Sequence, residues 1–539
     1  MPNISFVNEK KSVSIPAGTT ILEAARLAGV TIESPCDGIG SCGKCKVGTS
    51  GGVLLACQHH VQEDMDVLVK DYSGENKSLQ ILAEGSNFDY AIQPFITKRV
   101  SGSNTEVYGG GGLLGIEEGD TASFVYGLAV DIGTTTLVTA LVDLCSGKTL
   151  ASESVLNPQS AYAQDVLGRI HFASKTEGLT VLYHAFTGAL NAMILTLTKK
   201  TGVKSEHIYE AVYSGNTTML HIACNVDPYS LGQFPYTPTL SGAEHRPAKD
   251  LPISPFGLIW LPPIISAYVG ADITSGILSS ALDKKAGTTV FIDIGTNGEM
   301  VLAKDGRLAA SSTAAGPAFE GMNISCGMRA SQGAIESFSI ADDVANFNVI
   351  GDNAGWEETA AITGICGSGL LDIAGELVRT SLIGKNGRLT NPDNENCAPA
   401  LMQKIRPHEG KNVFFITDTV YLSQKDIRQI QLAKGAIRCG IEMLLAHFNM
   451  NAGDVDTLEI AGSFGYHLNE ASLLNIGLLP PAFVGKTAFV GNTSMSGAAA
   501  FLLNTGFRSQ MAKLVKEIDV VELANDEKFE KNFIKHLSF

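Results

Sequence analysis

The sequence predicts a small α+β module of the β-grasp type over residues 1–80, followed by a duplicated α/β body over residues 126–539. Two observations carry this. The first eighty residues read as short alternating strands around one helix, and the strand–turn–strand segment at Asp131 recurs at Asp293, 162 positions on (293 minus 131), about one domain length. With 45% hydrophobic and 17% charged residues over 539 positions, the chain has the composition of a core-rich globular protein.

In the module, Asn3–Val7 and Ser12–Ile15 alternate polar and apolar residues, as a half-buried hairpin does. Thr19 or Thr20 is placed to cap a helix running to Gly29, with Ile21, Leu22, Ala25 and Leu27-Ala28 on its apolar face. Val53–Ala56 and Met65–Val69 supply further strand. Between the helix and the first of these strands lie Cys36, Cys42 and Cys45, and Cys57 directly follows that strand, in the spacing C-x5-C-x2-C-x11-C. Three thiolates on one loop and a fourth from a later strand can hold two irons and two sulfides, and Gly38, Gly40 and Gly43 let the backbone bend tightly around them. A four-cysteine zinc site is the alternative, although zinc ribbons usually show two C-x2-C knuckles and this loop has one. The loop resembles the [2Fe-2S] ferredoxin family, in a variant with five residues in the first gap. The other six cysteines are scattered and read as reduced thiols.

Residues 81–125 read as a flexible linker, punctuated by Ser101-Gly102-Ser103-Asn104 and the run Gly109–Gly112. The body divides into 126–285 and 286–539, each opening on an apolar strand, the motif D-I-G-T and a second apolar strand. Asp131 and Asp293, at strand ends, are placed to hold Mg²⁺ directly or through water. Gly133 with Thr134 and Thr135, and Gly295 with Thr296, offer amides and hydroxyls to phosphate, although ordinary turn chemistry also uses these residues. Gly462, Ser463 and Gly465, in I-A-G-S-F-G after a predicted strand, allow close approach of an adenosine. The loops 314–321 and 364–369 are placed to enter helices and present amides to phosphate, or simply to cap them. Asp272 opens an amphipathic helix, either as its N-cap or as an acid that orients an attacking water. Lys434 is a nucleotide-contact candidate or a solvated lysine.

The paired D-I-G-T motifs and the late A-G-S-F-G resemble the superfamily of acetate and sugar kinases, heat-shock chaperone ATPases and actin. The resemblance implies two ribonuclease-H-like domains closing over Mg-ATP. It places Asp131, Gly133, Thr134, Thr135, Asp293, Gly295 and Thr296 at the phosphates, Gly462, Ser463 and Gly465 at the adenosine, and Asp272 where members often keep an acid. With a [2Fe-2S] module ahead of it, the order DIGTTT, DIGTNGE, AGPAFEG, TGICGSGLLD, IAGSFG resembles reductive activators of corrinoid methyltransfer proteins. That resemblance implies ATP-driven transfer of one electron to a Co(II) corrinoid, a corrinoid protein and an electron donor as partners, and self-association. A small-molecule kinase, or a nucleotide-dependent binding protein with a structural or redox-sensing cluster, is the rival reading.

Lys plus Arg number 39 against 55 Asp plus Glu, a net charge of −16. Proteins that bind DNA or anionic lipid generically lead with basic charge, so neither nucleic acid nor membrane is an expected partner. The start, MPNISFVNEK, has no apolar h-region, and the apolar stretch Gly257–Gly270 is short and broken by Pro262 and Pro263. A cytoplasmic protein is expected.

Overall fold

The computed structural model describes all residues except 31, 33, 35–37, 39–44, 70–89, 352–361, 392–396, 463–467, 524–525 and 527. In the N-terminal module the alternation pairs as expected: Asn3–Phe6 runs antiparallel to Lys11–Ser14 and parallel to Met65–Val69, in a five-stranded sheet completed by Lys46–Thr49 and Gly52–Leu55. The helix is Ile21–Leu27. Thr20 caps it, accepting from the Glu23 amide while the Glu23 carboxylate accepts from the Thr20 amide, a reciprocal box that satisfies two otherwise orphaned donors. Ile4, Phe6, Ile21, Leu22 and Ala25 meet in this module's own core.

The expectation of a flexible linker over 81–125 needs correction. Residues 81–89 lie outside the described residues, but Ile96–Ser101, Asn104–Gly109 and Gly112–Glu118 form a three-stranded antiparallel sheet. The punctuation read as linker is turn chemistry. Gly110 and Gly111 both have positive φ, as a two-residue primed hairpin turn requires, and Gly102 turns the preceding pair. This sheet is seated on the body. Ile96 and Val107 are buried, Phe95 stacks on His245 at 4.1 Å, and Lys98 Nζ sits 2.7 Å from Glu117 and donates to the Tyr209 hydroxyl.

The duplication is visible in the topology. In the first half, Tyr126–Ile132, Thr136–Asp143 and Thr149–Leu156 form an antiparallel meander, and Ile208–Gly215 and Leu258–Leu261 add in parallel beside the first strand. In the second half, Thr288–Ile294, Gly298–Lys304 and Arg307–Thr313 repeat the meander, with Thr457–Ala461 and Thr487–Gly491 as the parallel additions. Each sheet therefore reads 3-2-1-4-5 with one extra edge strand, the duplicated ribonuclease-H-like, actin-like architecture.

Between the two sheets lies a shared core. Helices Ala271–Ser279 and Thr493–Leu503 cross there, so close that a Cβ on Gly497 would lie 2.2 Å from the Ser275 carbonyl oxygen. Ala129, Val138, Ile273, Ile277, Phe291, Val301 and Phe501 pack around the crossing. The C-terminal stretch thus reaches back onto the first half: Trp260 meets Phe501, and Arg508 forks onto Glu210 at 2.9 and 2.8 Å. Among the described residues one helix, Gly178–Thr201, is long and apolar enough to cross a membrane. It turns Leu182, Phe186, Leu190, Met193, Ile194 and Leu197 into the core of the first half.

Candidate functional site

Both D-I-G-T turns open onto one cavity of about 180 Å³ between the halves. It gathers Asp131, Gly133, Thr134 and Thr135 from the first turn, Asp293, Gly295 and Thr296 from the second, and Asp272 and Gly462 from neighbouring elements. Ser463 and Gly465 lie outside the described residues. The loop before helix Gly367–Arg379 enters that helix as expected, and Gly367 lines the same cavity. In the other glycine loop, Pro317–Glu320 forms one 3₁₀ turn, which brings Glu320 to the cavity.

The first turn is held by three asparagines of one kind. Asn157, Asn216 and Asn492 each cap a helical turn with their side-chain oxygen and spend their amide N–H on this hairpin. Asn157 donates to the Gly133 carbonyl at 2.8 Å, Asn216 to Thr134 Oγ1 at 3.1 Å and Asn492 to Asp131 Oδ2 at 2.9 Å. Ser494 adds a bond to Asp131 Oδ1 at 2.7 Å. Behind the turn, the fully buried Arg169 donates to the carbonyls of Thr134 and Ala163 and to Gln159 Oε1. Burial lowers its pKa to about 9. Asn157, Asn216, Asn492, Ser494 and Arg169 are not among the residues that the sequence analysis names. A signal existed: G-N-T-T-M at 215–219 and G-N-T-S-M at 491–495 are near repeats, each an Asn cap after a strand.

Besides Glu320, four acids line the cavity. Enclosure by protein raises the pKa of Asp131, against the pull of its bonds to Ser494 and Asn492. Enclosure and then Asp131's charge push Asp293 to about 7. Asp272 is pushed to about 8 by enclosure, then by Asp293 and Asp131, and Glu299 is raised well above its usual range by enclosure, Asp272 and Asp293. Asp272 is not the helix N-cap, which is Gly270, and the helix is buried on nearly every side rather than amphipathic. Its carboxylate accepts from the Ile273 amide at 2.9 Å. Such a set favours a hard cation, since a bound positive charge relieves both enclosure and repulsion. Among the described residues no three acids converge closely enough to hold an ion alone. That suits Mg²⁺, which is usually held by one or two carboxylates plus phosphate and water.

Lys434 is neither at the cavity nor solvated. It is 1% exposed, donates to the Ser538 carbonyl and lies 5.3 Å from the Phe539 ring, and burial lowers its pKa to about 8. In the N-terminal module Cys45 and Cys57 are buried with their sulfurs 3.2 Å apart, and Gln58 Nε2 lies 3.8 Å from the Cys57 sulfur. Two thiols converging inside a small core fit a metal centre. Cys36 and Cys42 lie outside the described residues.

Comparison with known proteins agrees with this layout. Residues 5–67 match the 2Fe-2S iron-sulfur cluster binding domain, 126–285 the RACo middle region and 287–539 the C-terminal domain of RACo, the ASKHA domain. The chain is 29% identical to the corrinoid activation enzyme RamQ of Eubacterium limosum over 98% of both chains. It is 24% identical to the [Co(II) methylated amine-specific corrinoid protein] reductase of Methanosarcina barkeri over 77% of each. A solved structure described as a reductive activator for corrinoid, iron-sulfur protein superposes with a TM-score of 0.75 at 29% identity, covering 100% of this chain and 98% of that one. With its cluster-binding, middle and ASKHA regions in series, the chain belongs to the RACo family of ferredoxin-fused ASKHA reductive activators.

Proposed function

We propose that this chain is an ATP-hydrolysing activase that returns a partner protein's Co(II) corrinoid to Co(I), one electron per cobalt. The observation that carries the reading is the pairing, in one chain, of a cluster-binding module with two D-I-G-T turns that face a single acid-lined cavity. The relatives named for corrinoid activation and Co(II) reduction support the choice of acceptor.

Cys36, Cys42, Cys45 and Cys57 would hold a [2Fe-2S] cluster, which supplies one-electron chemistry when bound. Asp131 and Asp293 would hold Mg²⁺ with the nucleotide phosphates. The amides and hydroxyls of Gly133–Thr135 and Gly295–Thr296 would receive phosphate oxygens, and Gly462, Ser463 and Gly465 would allow the adenosine to approach. Asp272, which faces the cavity between the two turns, would take the proton of the attacking water: ATP and water give ADP and phosphate.

If the acceptor lies about 100 mV below the donor, each electron costs about 2.3 kcal/mol, and coupling to nucleotide would offset that cost. Nucleotide drives that step only by binding two conformations of the chain unequally, and the cavity between two halves that share one core is suited to such a difference. The test is anaerobic. The reduced protein is mixed with a Co(II) corrinoid protein, and Co(I) absorbance is followed with and without Mg-ATP. Co(I) appearing only with hydrolysable ATP and an intact cluster is the expected result. Phosphorylation of a small molecule, with no Co(I) from any corrinoid partner tried, would replace this reading with the kinase one.

A further inference from the structure

Glu320 joins the two phosphate turns. Thr135 Oγ1, on the first turn, donates to Glu320 Oε2, and Thr296 Oγ1, on the second, donates to Oε1 at 2.7 Å. The residue is half-buried at the cavity wall, on the 3₁₀ turn Pro317–Glu320, and helix Gly367–Arg379 packs against this segment: a Cβ on Gly367 would lie 1.8 Å from the Phe319 carbonyl oxygen. The carboxylate is thus held from behind by backbone packing and bonded in front to both halves of the clamp.

A threonine hydroxyl has one proton to give. Both protons here are given to a carboxylate, which, like a nucleotide phosphate near neutral pH, only accepts. Thr135 and Thr296 cannot serve Glu320 and a phosphate at once, and a carboxylate between the turns repels an arriving phosphate. We propose that Glu320 is a phosphate-mimicking latch: in the nucleotide-free chain it ties the two turns together, and a nucleotide must displace it to engage them. This rests on the nucleotide-site reading given above and adds its regulation. The polyphosphate releases a bridge between the halves, so arrival of the nucleotide and freedom of the halves to move become one event. A chain whose binding-competent state is one part in ten loses tenfold in apparent affinity, and removing the latch restores it.

The experiment uses the full-length protein and titrates ATP and ADP in EDTA, Mg-ATP, and adenosine as the phosphate-free control. Glu320→Ala is expected to bind metal-free ATP and ADP about tenfold tighter than the unsubstituted chain, with adenosine unchanged and Glu320→Gln in between. Glu320→Gln also carries the test if a thermal melt shows that Glu320→Ala does not fold. Equal or weaker metal-free binding by the folded variants overturns the latch and leaves the nucleotide site standing. Weaker Mg-ATP binding with metal-free binding unchanged would make Glu320 a cation ligand and overturns it equally. Binding by Glu320→Ala where the unsubstituted chain shows none supports both readings. No binding by any form removes the nucleotide site, and the latch with it.

Discussion

The two D-I-G-T hairpins share a sequence motif and differ in almost everything that holds them. The first is braced: three asparagine caps, Ser494 and the buried Arg169 converge on Asp131, Gly133 and Thr134. The second is not. Among the described residues nothing donates a hydrogen bond to the Asp293 carboxylate, and its pKa is pushed to about 7 where Asp131 keeps two donors. The turns differ as well, since Gly133 closes onto the Thr136 carbonyl and Gly295 one residue sooner, onto Asn297. The lesson is that a repeated motif fixes a shape, while its electrostatic character comes from residues hundreds of positions away. The first turn is a rigid seat; the second, with Asp272, is the side that answers to charge.

The largest effect expected of that division is on turnover. Asp272→Asn should lower ATP hydrolysis roughly 10²–10⁴-fold, as loss of a general base does, while leaving the fold intact. A steady-state phosphate-release assay with a parallel thermal melt checks both, and normal turnover would remove Asp272 from the chemistry.

Stability separates the hairpins next. A Cβ on Gly133 would lie 2.7 Å from the Thr136 carbonyl oxygen, whereas at Gly295 nothing comes closer than 3.8 Å. Gly133→Ala should cost ~1–3 kcal/mol in denaturant unfolding and Gly295→Ala far less, and equal losses would break the comparison. Ser494→Ala should destabilise by about 1–2 kcal/mol, because Asp131 is left enclosed with one donor fewer. A loss within error would show that the bracing of the first hairpin does not depend on this serine.

The comparison is also open to a pH slope. Asp272 and Asp293 titrate near 8 and 7 in the folded chain, against 3.8 ordinarily. Between those limits the folded state holds protons that the unfolded state has lost, so this contribution lowers stability as pH rises from about 4 to about 8. Melting temperatures in EDTA should therefore fall from pH 5 to pH 8.5 more steeply than in Asp272→Asn. A rising or identical slope contradicts the raised pKa values.

What the sequence made legible follows the same line. Period and motif are local, so the module's hairpin and helix, the matched strands at 126–143 and 288–304, and the turn residues at the cavity were all readable. Turn chemistry misled where glycine is ambiguous: Gly109–Gly112 has the composition of a tether and the φ values of a hairpin. Glu320, Asn492 and Ser494 stayed hidden because their bonds to the first turn, across 185, 361 and 363 residues, form only once the two halves pack together. Lys434 was misjudged for the same reason, since its burial depends on the last residues of the chain.

The return of the C-terminal helices onto the first half also sets a clock for biosynthesis. Glu210, wholly buried, finds Arg508 only 298 residues further along the chain. At about 5–20 residues per second, a ribosome takes roughly 15–60 s to make the distance between them. For that interval the emerging first half carries an uncovered sheet face, where Trp260 awaits Phe501, and a carboxylate without its guanidinium. Transiently exposed apolar surface of this kind is aggregation-prone, and slower synthesis lengthens its exposure.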